Sequence, residues 1–276
     1  MKRVAAIQMA SGPNVRANLT EAARLISRAV DAGAELVVLP ENFAIMGMRE
    51  EDKVKVREIY GQGPIQDFLA EQAHQHRTWI VGGTVPLTAK DSQHVRAACL
   101  LFDDKGGVKA RYDKVHLFDV HLSESKETYD ESTTTEPGET ATVVDTPFGR
   151  LGLAVCYDLR FPELFRRMSD EGAELFAIPS AFTAITGRAH WEILVRARAI
   201  ENLCYVIAAA QGGYHVNGRE THGDSMIVDP WGRVLDRLPR GSGFVVSNVD
   251  IDKVRNTRRN FPVLQHRKIP CKLAAQ

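Results

Sequence analysis

Cys156 ends an apolar run, Leu151-Gly152-Leu153-Ala154-Val155, and Pro162 opens a helical pattern a few residues later. The thiol is thereby expected at the C-terminal end of a buried strand, the edge of an α/β sheet where ligands bind. Two other groups follow strand-like runs in the same way. Glu41 comes directly after Leu36-Val37-Val38-Leu39-Pro40, and Lys114 follows the run 108–112. A carboxylate, an ammonium and a thiol at strand ends can converge on one rim, and together they suit nucleophilic attack on a carbon–nitrogen bond. A free thiol has a pKa of about 8.5, so a neighbouring cation or base is needed to raise its thiolate fraction at neutral pH. Glu41 would take the proton from Cys156 and return it to the leaving amine. Lys114, with the backbone N–H of Tyr157 just after the nucleophile, would stabilise the tetrahedral oxyanion. Glu131, in a polar stretch further on, would orient Lys114 or assist the hydrolytic water.

Each of these residues also has a bland reading. A strand-end cysteine can be a packing residue, Pro40-Glu41 a solvated turn, and Lys114 a surface charge. The positions are too far apart in the chain for spacing to decide between the readings.

The elements that must position these groups alternate in type. Strands are predicted at 4–9, 36–40, 79–85, 97–102, 108–112, 143–145, 151–155, 204–210, 225–228 and 244–249. Helices are predicted at 65–76, 162–170 and 191–202. Another begins at Asn18-Leu19-Thr20-Glu21, which fits a capping box with Asn18 as N-cap, and ends at Gly33. The stretch 31–43 resembles 170–182: helix end, Gly, buried strand, then Pro at the strand exit. Either two related layers or the shared punctuation of any two αβ units explains this. The span 116–142 is polar, long and without periodicity, as functional loops often are. Alternating helices and strands predict an α/β layered sandwich rather than a pure doubly wound sheet.

Composition excludes several function classes. The 276 residues are 44% hydrophobic and 25% charged, enough for a large core. Lys plus Arg and Asp plus Glu each number 35, so no net field recruits nucleic acid or a membrane surface. No apolar segment is long enough to span a bilayer, and the N-terminus reads as a strand rather than a signal peptide, so the expectation is a cytoplasmic protein. The four cysteines, Cys99, Cys156, Cys204 and Cys271, form no C-x-x-C pair. Neither a disulfide framework nor a metal site is expected, and no cofactor. Cys99 and Cys204 lie in apolar runs and read as inert core thiols.

Three blocks, Pro40-Glu41-Asn42, the run from Tyr112-Asp113-Lys114-Val115-His116 to Asp119, and Cys156-Tyr157-Asp158-Leu159-Arg160-Phe161-Pro162-Glu163, resemble the signature blocks of the nitrilase superfamily of carbon–nitrogen hydrolases, in the family's order. Glu131-Ser132 with Pro137-Gly138 resembles the segment carrying that family's second glutamate. The resemblance covers about residues 4–267. It implies Glu41 as base, Lys114 as oxyanion stabiliser, Cys156 as nucleophile and Glu131 as accessory acid. It also implies a four-layer α-β-β-α sandwich, one domain over 1–276 with a tail from about 262, and a homodimer formed through helical faces.

The runs 179–192, 196–202 and 225–232 are similar to the Nit branch, and within it to the deaminated glutathione amidases. That likeness implies a thiol amidase producing 2-oxoglutarate and cysteinylglycine. An ω-amidase acting on 2-oxoglutaramate, another aliphatic amidase or nitrilase, or a silent scaffold are the alternatives. A 2-oxo acid needs a cation for its carboxylate, for which Arg160 and Arg188 are candidates. An ion pair of Arg160 with Asp158 or Glu163 is the competing reading. Phe182 and Thr183 follow a strand exit and are expected to line the pocket. Arg196 and Arg198 read as structural or interfacial. The segment after Glu41, 42–48, is apolar and weakens the case for the smallest acidic substrates.

Overall fold

Two mixed sheets carry the fold in the computed structural model, which describes residues 1–122 and 127–269. The first sheet runs Gly243–Val249, Lys2–Gln8, Leu36–Val38, Trp79–Val81, Val95–Phe102, Val85–Thr88, with Val108–Asp113 also paired to Val95–Phe102. The second runs Val234–Leu238, Ser225–Val228, Tyr205–Ala210, Leu175–Ser180, Gly149–Leu153, Thr142–Thr146. In each sheet three central strands are parallel and their outer neighbours antiparallel.

Alternation along the strands sorts the layers, because successive side chains leave opposite faces. Val4, Ala6, Leu36 and Val38 pack into one core with Leu151, Leu153 and Ala177 of the other sheet. Ala5, Ile7 and Val37 point away and pack on Leu25 and Ile26 of the helix Val15–Asp31 and Leu69 of the helix Pro64–His76. The other side of the second sheet is covered by Phe165 and Met168 of the helix Pro162–Asp170 and by Trp191 and Val195 of the helix Ala184–Asn202. The architecture is the expected α-β-β-α sandwich.

The repeated grammar falls on equivalent places in the two sheets. Gly33 and Gly172 end their helical units at φ 91° and 87°, a conformation that side chains disfavour. Glu35 N–H then donates to the Arg3 carbonyl, and Glu174 N–H to the Arg150 carbonyl, both at 2.8 Å. Leu36 lies between Val4 and Trp79, as Leu175 lies between Leu151 and Tyr205. Both strands deliver their C-terminal ends to the same rim.

Several expectations need correction. The first helix is capped by Asn14, whose side chain accepts from Ala17 N–H at 3.0 Å. Asn18 lies inside the helix, where its buried amide donates to the carbonyls of Gly12 and Ala44 at 2.8 Å. Tertiary bonding, not capping, explains that asparagine, and Glu21 pairs with Arg24 instead. The span 116–142 is not all loop: Asp119–Leu122 pairs with Glu127–Asp130, and a 3-10 turn follows at Glu131–Thr133. The helix Ile251–Asn260 and the strand Val234–Leu238 add to the predicted elements. Cys99 and Cys204 are fully buried, and burial pushes both thiols up, Cys204 to about 12. Cys271 lies outside the described residues. Among the described residues no helix is long and apolar enough to cross a membrane.

Candidate active site

Glu41 stands three residues beyond the end of its strand, Leu36–Val38, held by its backbone. Its carbonyl accepts from the Gln211 amide at 3.0 Å, and the next residue, Asn42, turns into the left-handed region at φ 56°. The Asn42 N–H donates to the Thr84 hydroxyl at 2.8 Å. Gly83 sits against the Pro40 carbonyl, where a Cβ would collide. Lys114 continues the ladder of its strand, its N–H donating to the Ala97 carbonyl at 3.1 Å. Its own carbonyl accepts from Gly138 N–H at 2.8 Å, and Gly138 packs on the Asp113 carbonyl too closely for any side chain.

Cys156 opens a 3-10 turn, Cys156–Arg160, at φ 47°. A left-handed residue other than glycine costs about 1–2 kcal/mol, so the turn needs support. Asp158, wholly buried, supplies it. One carboxylate oxygen accepts from Val155 N–H at 2.8 Å and the Tyr112 hydroxyl at 2.7 Å. The other meets His116 N–H at 3.1 Å and His116 Nδ1 at 2.7 Å. Asp158 therefore ties the segment that carries Lys114 to the turn that carries Cys156. Arg198, buried, adds a second brace by donating twice to the Leu159 carbonyl.

These three strand ends meet in a pocket of about 110 Å³. The Lys114 ammonium donates to Glu41 Oε1 at 2.8 Å and to the two oxygens of Glu131 at 2.8 and 3.0 Å. Glu131 is itself held by Phe118 N–H at 2.7 Å. Cys156 Sγ accepts from Ala181 N–H at 3.4 Å and lies close enough to Glu41 to interact with its carboxylate. Burial works against the Lys114 charge, but Glu131 and Glu41 hold its pKa well above the ordinary range. Burial and the nearby Glu131 push the Glu41 carboxyl up, against the pull of Lys114. Burial and the Glu41 charge push the Cys156 thiol well up too. Both effects favour the protonated thiol, which suits a proton transfer to Glu41 made in the course of the attack.

Eight of the nine candidate site residues read from the sequence line this pocket: Glu41, Lys114, Glu131 and Cys156, then Tyr157, Arg160, Phe182 and Thr183. The Tyr157 N–H meets no protein acceptor among the described residues. Arg160 makes no ion pair with Asp158 or Glu163; its guanidinium lies over the rings of Phe182 at 5.1 Å and Tyr157 at 5.8 Å and donates to His190 Nδ1 at 3.2 Å. Thr183 caps the helix Ala184–Asn202 through Thr186 N–H. Arg188 is exposed and does not line the pocket.

The family model for carbon-nitrogen hydrolase matches residues 3–259. The chain belongs to the carbon-nitrogen hydrolase family. It is 42% identical over 266 residues to a deaminated glutathione amidase of Yersinia enterocolitica, covering 96% of this chain and 92% of that protein. The NitFhit protein of C. elegans superposes with a TM-score of 0.87 at 38% identity, over 97% of this chain and 65% of that one. A glutamate-to-glutamine mutant of the nitrilase-superfamily amidase from Nesterenkonia sp. AN1, with acrylamide added at its active-site cysteine, superposes with a TM-score of 0.77 at 26% identity, over 95% and 98% of the two chains.

Sequence reasoning missed Asp158 and Gln211 as organisers, and missed Arg49, Glu50, Lys53, Tyr129 and Arg219 as pocket lining. Asp158 stands inside the Cys156 block, two residues from the thiol, and a short acidic side chain there was the available signal.

Proposed function

We propose that the chain is a thiol amidase that cleaves deaminated glutathione to 2-oxoglutarate and cysteinylglycine. The observation that carries the chemistry is the Lys114 ammonium held between Glu41 and Glu131 in the pocket that buries Cys156. The likeness to a deaminated glutathione amidase supports the substrate.

In this reading Cys156 Sγ attacks the amide carbon as Glu41 takes the thiol proton. The oxyanion is met by the Lys114 ammonium and the Tyr157 N–H. Glu41 then gives its proton to the departing amine as the carbon–nitrogen bond breaks, leaving a thioester. A water attacks that thioester and gives Glu41 a proton. The carbon–sulfur bond breaks, and the sulfur recovers its proton from Glu41. Glu131 fixes Lys114 throughout, so the ammonium need not reorganise as charge develops. Arg160, over the Phe182 and Tyr157 rings, takes the carboxylate of the 2-oxo acid through its planar fork.

Steady-state comparison of deaminated glutathione, 2-oxoglutaramate and a simple nitrile tests the assignment. Deaminated glutathione is expected to lead in kcat/KM by about tenfold or more, a difference of about 1.4 kcal/mol in transition-state binding. A lead for 2-oxoglutaramate makes the chain an ω-amidase instead, and no turnover of any of the three removes the reading.

A homodimer is part of the same proposal. Ile193 and Ile200, seven residues apart on one helix face, are 70% and 47% exposed. Ile200 abuts Gly232, and the neighbouring Trp231, 64% exposed, stacks edge-on with Phe261. An apolar patch of this kind on an outer helical layer suits a second copy of the chain. Light scattering at micromolar concentration is expected to give twice the chain mass; a monomer refutes the dimer.

A further inference from the structure

We propose that the mouth of the pocket holds a second anion subsite, built by Arg49, Lys53 and Arg219, which takes the C-terminal carboxylate of the leaving peptide. The inference rests on the reading of the chain as a deaminated glutathione amidase and deepens it.

That substrate carries a carboxylate on each side of the scissile amide. On the acyl side the arm is short. Arg160 fits it, because it lies over the Tyr157 and Phe182 rings and lines the same pocket as Cys156. On the amine side the carboxylate ends a dipeptide, which spans at most about 7 Å when extended. A cation for it must lie farther out, at the mouth.

The wall after Glu41 has that layout. Ile45, Met46 and Gly47 line the pocket as an apolar surface, and charge begins at Arg49, Glu50 and Lys53. From the opposite wall, Arg219 extends out of the turn between the strands Gly212–Tyr214 and Glu220–His222. It lies over the Tyr129 ring at 5.1 Å and pairs with Glu50. Lys53 pairs with the same carboxylate at 3.1 Å. Burial would raise the Glu50 carboxyl, but Lys53 and Arg219 hold it below the ordinary range. One carboxylate thus fixes two cations and leaves them a positive charge in excess. Arg49 is exposed and lines the pocket; its backbone N–H donates to Asp52 at 3.0 Å, while its guanidinium pairs with no carboxylate among the described residues. Two further acids border the mouth: Asp130, and Glu220, which faces Arg240 at 3.8 Å. Glu50 engages only part of the five-donor fork of Arg219, and the remainder can grip an incoming carboxylate. Ammonia, the leaving group of 2-oxoglutaramate, has nothing to place there.

The test uses three substrates on the full-length wild-type protein and on Arg219→Gln. They are deaminated glutathione, its analogue with the terminal glycine carboxylate converted to a carboxamide, and 2-oxoglutaramate. In the wild type the acid is expected to exceed the carboxamide in kcat/KM by about tenfold, within the span of a charge-assisted hydrogen bond. In Arg219→Gln this acid-to-carboxamide preference is expected to collapse to about twofold or less. An equal fall on acid and carboxamide would mean that Arg219 only clamps the loops together, and overturns the subsite. So does a wild type that treats acid and carboxamide alike, a comparison that stands even if the variant fails to fold. A wild type that hydrolyses 2-oxoglutaramate but not deaminated glutathione defeats the substrate reading itself, a different failure from losing the preference between two peptide substrates.

Discussion

Cys156→Ala is expected to lower kcat by about ten-thousandfold or more, the scale on which removal of a covalent nucleophile acts, while the fold survives. The loss is large because Cys156 is the one thiol among the described residues lining the pocket: Cys99 and Cys204 are fully buried in the core away from it. The fold survives because little is removed. The sulfur accepts one long hydrogen bond, from Ala181 N–H at 3.4 Å. Alanine at φ 47° meets the same backbone cost as cysteine, and the Asp158 bonds that support the turn do not involve the sulfur. The melting temperature should move by less than about 4 °C, the shift expected from a change near 1 kcal/mol in a chain of this size. Single-turnover mass spectrometry should find an acyl adduct on the wild type and none on the variant. If the variant keeps more than about one per cent of wild-type turnover, Cys156 is not the nucleophile.

The parts of this site that could be read from the sequence are those fixed by local pattern. A buried strand has to end somewhere, and a charged residue straight after Pro40 or Tyr112-Asp113 marks that end. The parallel use of Gly33 and Gly172, with Glu35 and Glu174 after them, was legible for the same reason and fell on matching places in two sheets. What stayed hidden depends on partners distant in the chain. Asp158 finds Tyr112 and His116 more than forty residues away, and its proximity to Arg160 in sequence pointed to a different pairing. Asn18 satisfies a capping template, yet its amide is used by Gly12 and Ala44. Arg49, Lys53 and Arg219 look like ordinary solvated charges until two loops from opposite walls bring them to one carboxylate. Apolar periodicity locates strands and helices; it carries no information on which polar side chains meet across the rim.

Glu41→Gln is expected to reduce kcat/KM by about a hundred- to ten-thousandfold near neutral pH, the range for loss of a general base. The substitution keeps the side-chain shape and an oxygen for the Lys114 ammonium, which also retains both oxygens of Glu131. The charge relation changes more than the geometry. Burial and Glu131 raise the Glu41 carboxyl above its ordinary range, so in the wild type the base is lost as pH falls through that raised value. The acid limb of kcat/KM should therefore lie above about 4.3, where an exposed glutamate titrates. In the variant no carboxylate takes the thiol proton, and turnover depends on the small fraction of Cys156 already ionised. That fraction grows with pH, since burial keeps the thiol pKa high. Removing the Glu41 charge eases the thiol pKa downward without abolishing the effect of burial. The two profiles should then differ in kind: a wild type that falls on the acid side, and a variant without that limb whose rate climbs steadily toward alkaline pH. Measuring kcat/KM between about pH 5 and 10 separates them. A variant that keeps the wild-type acid limb would place the base elsewhere, and Glu131, the other carboxylate on Lys114, would be the residue to examine.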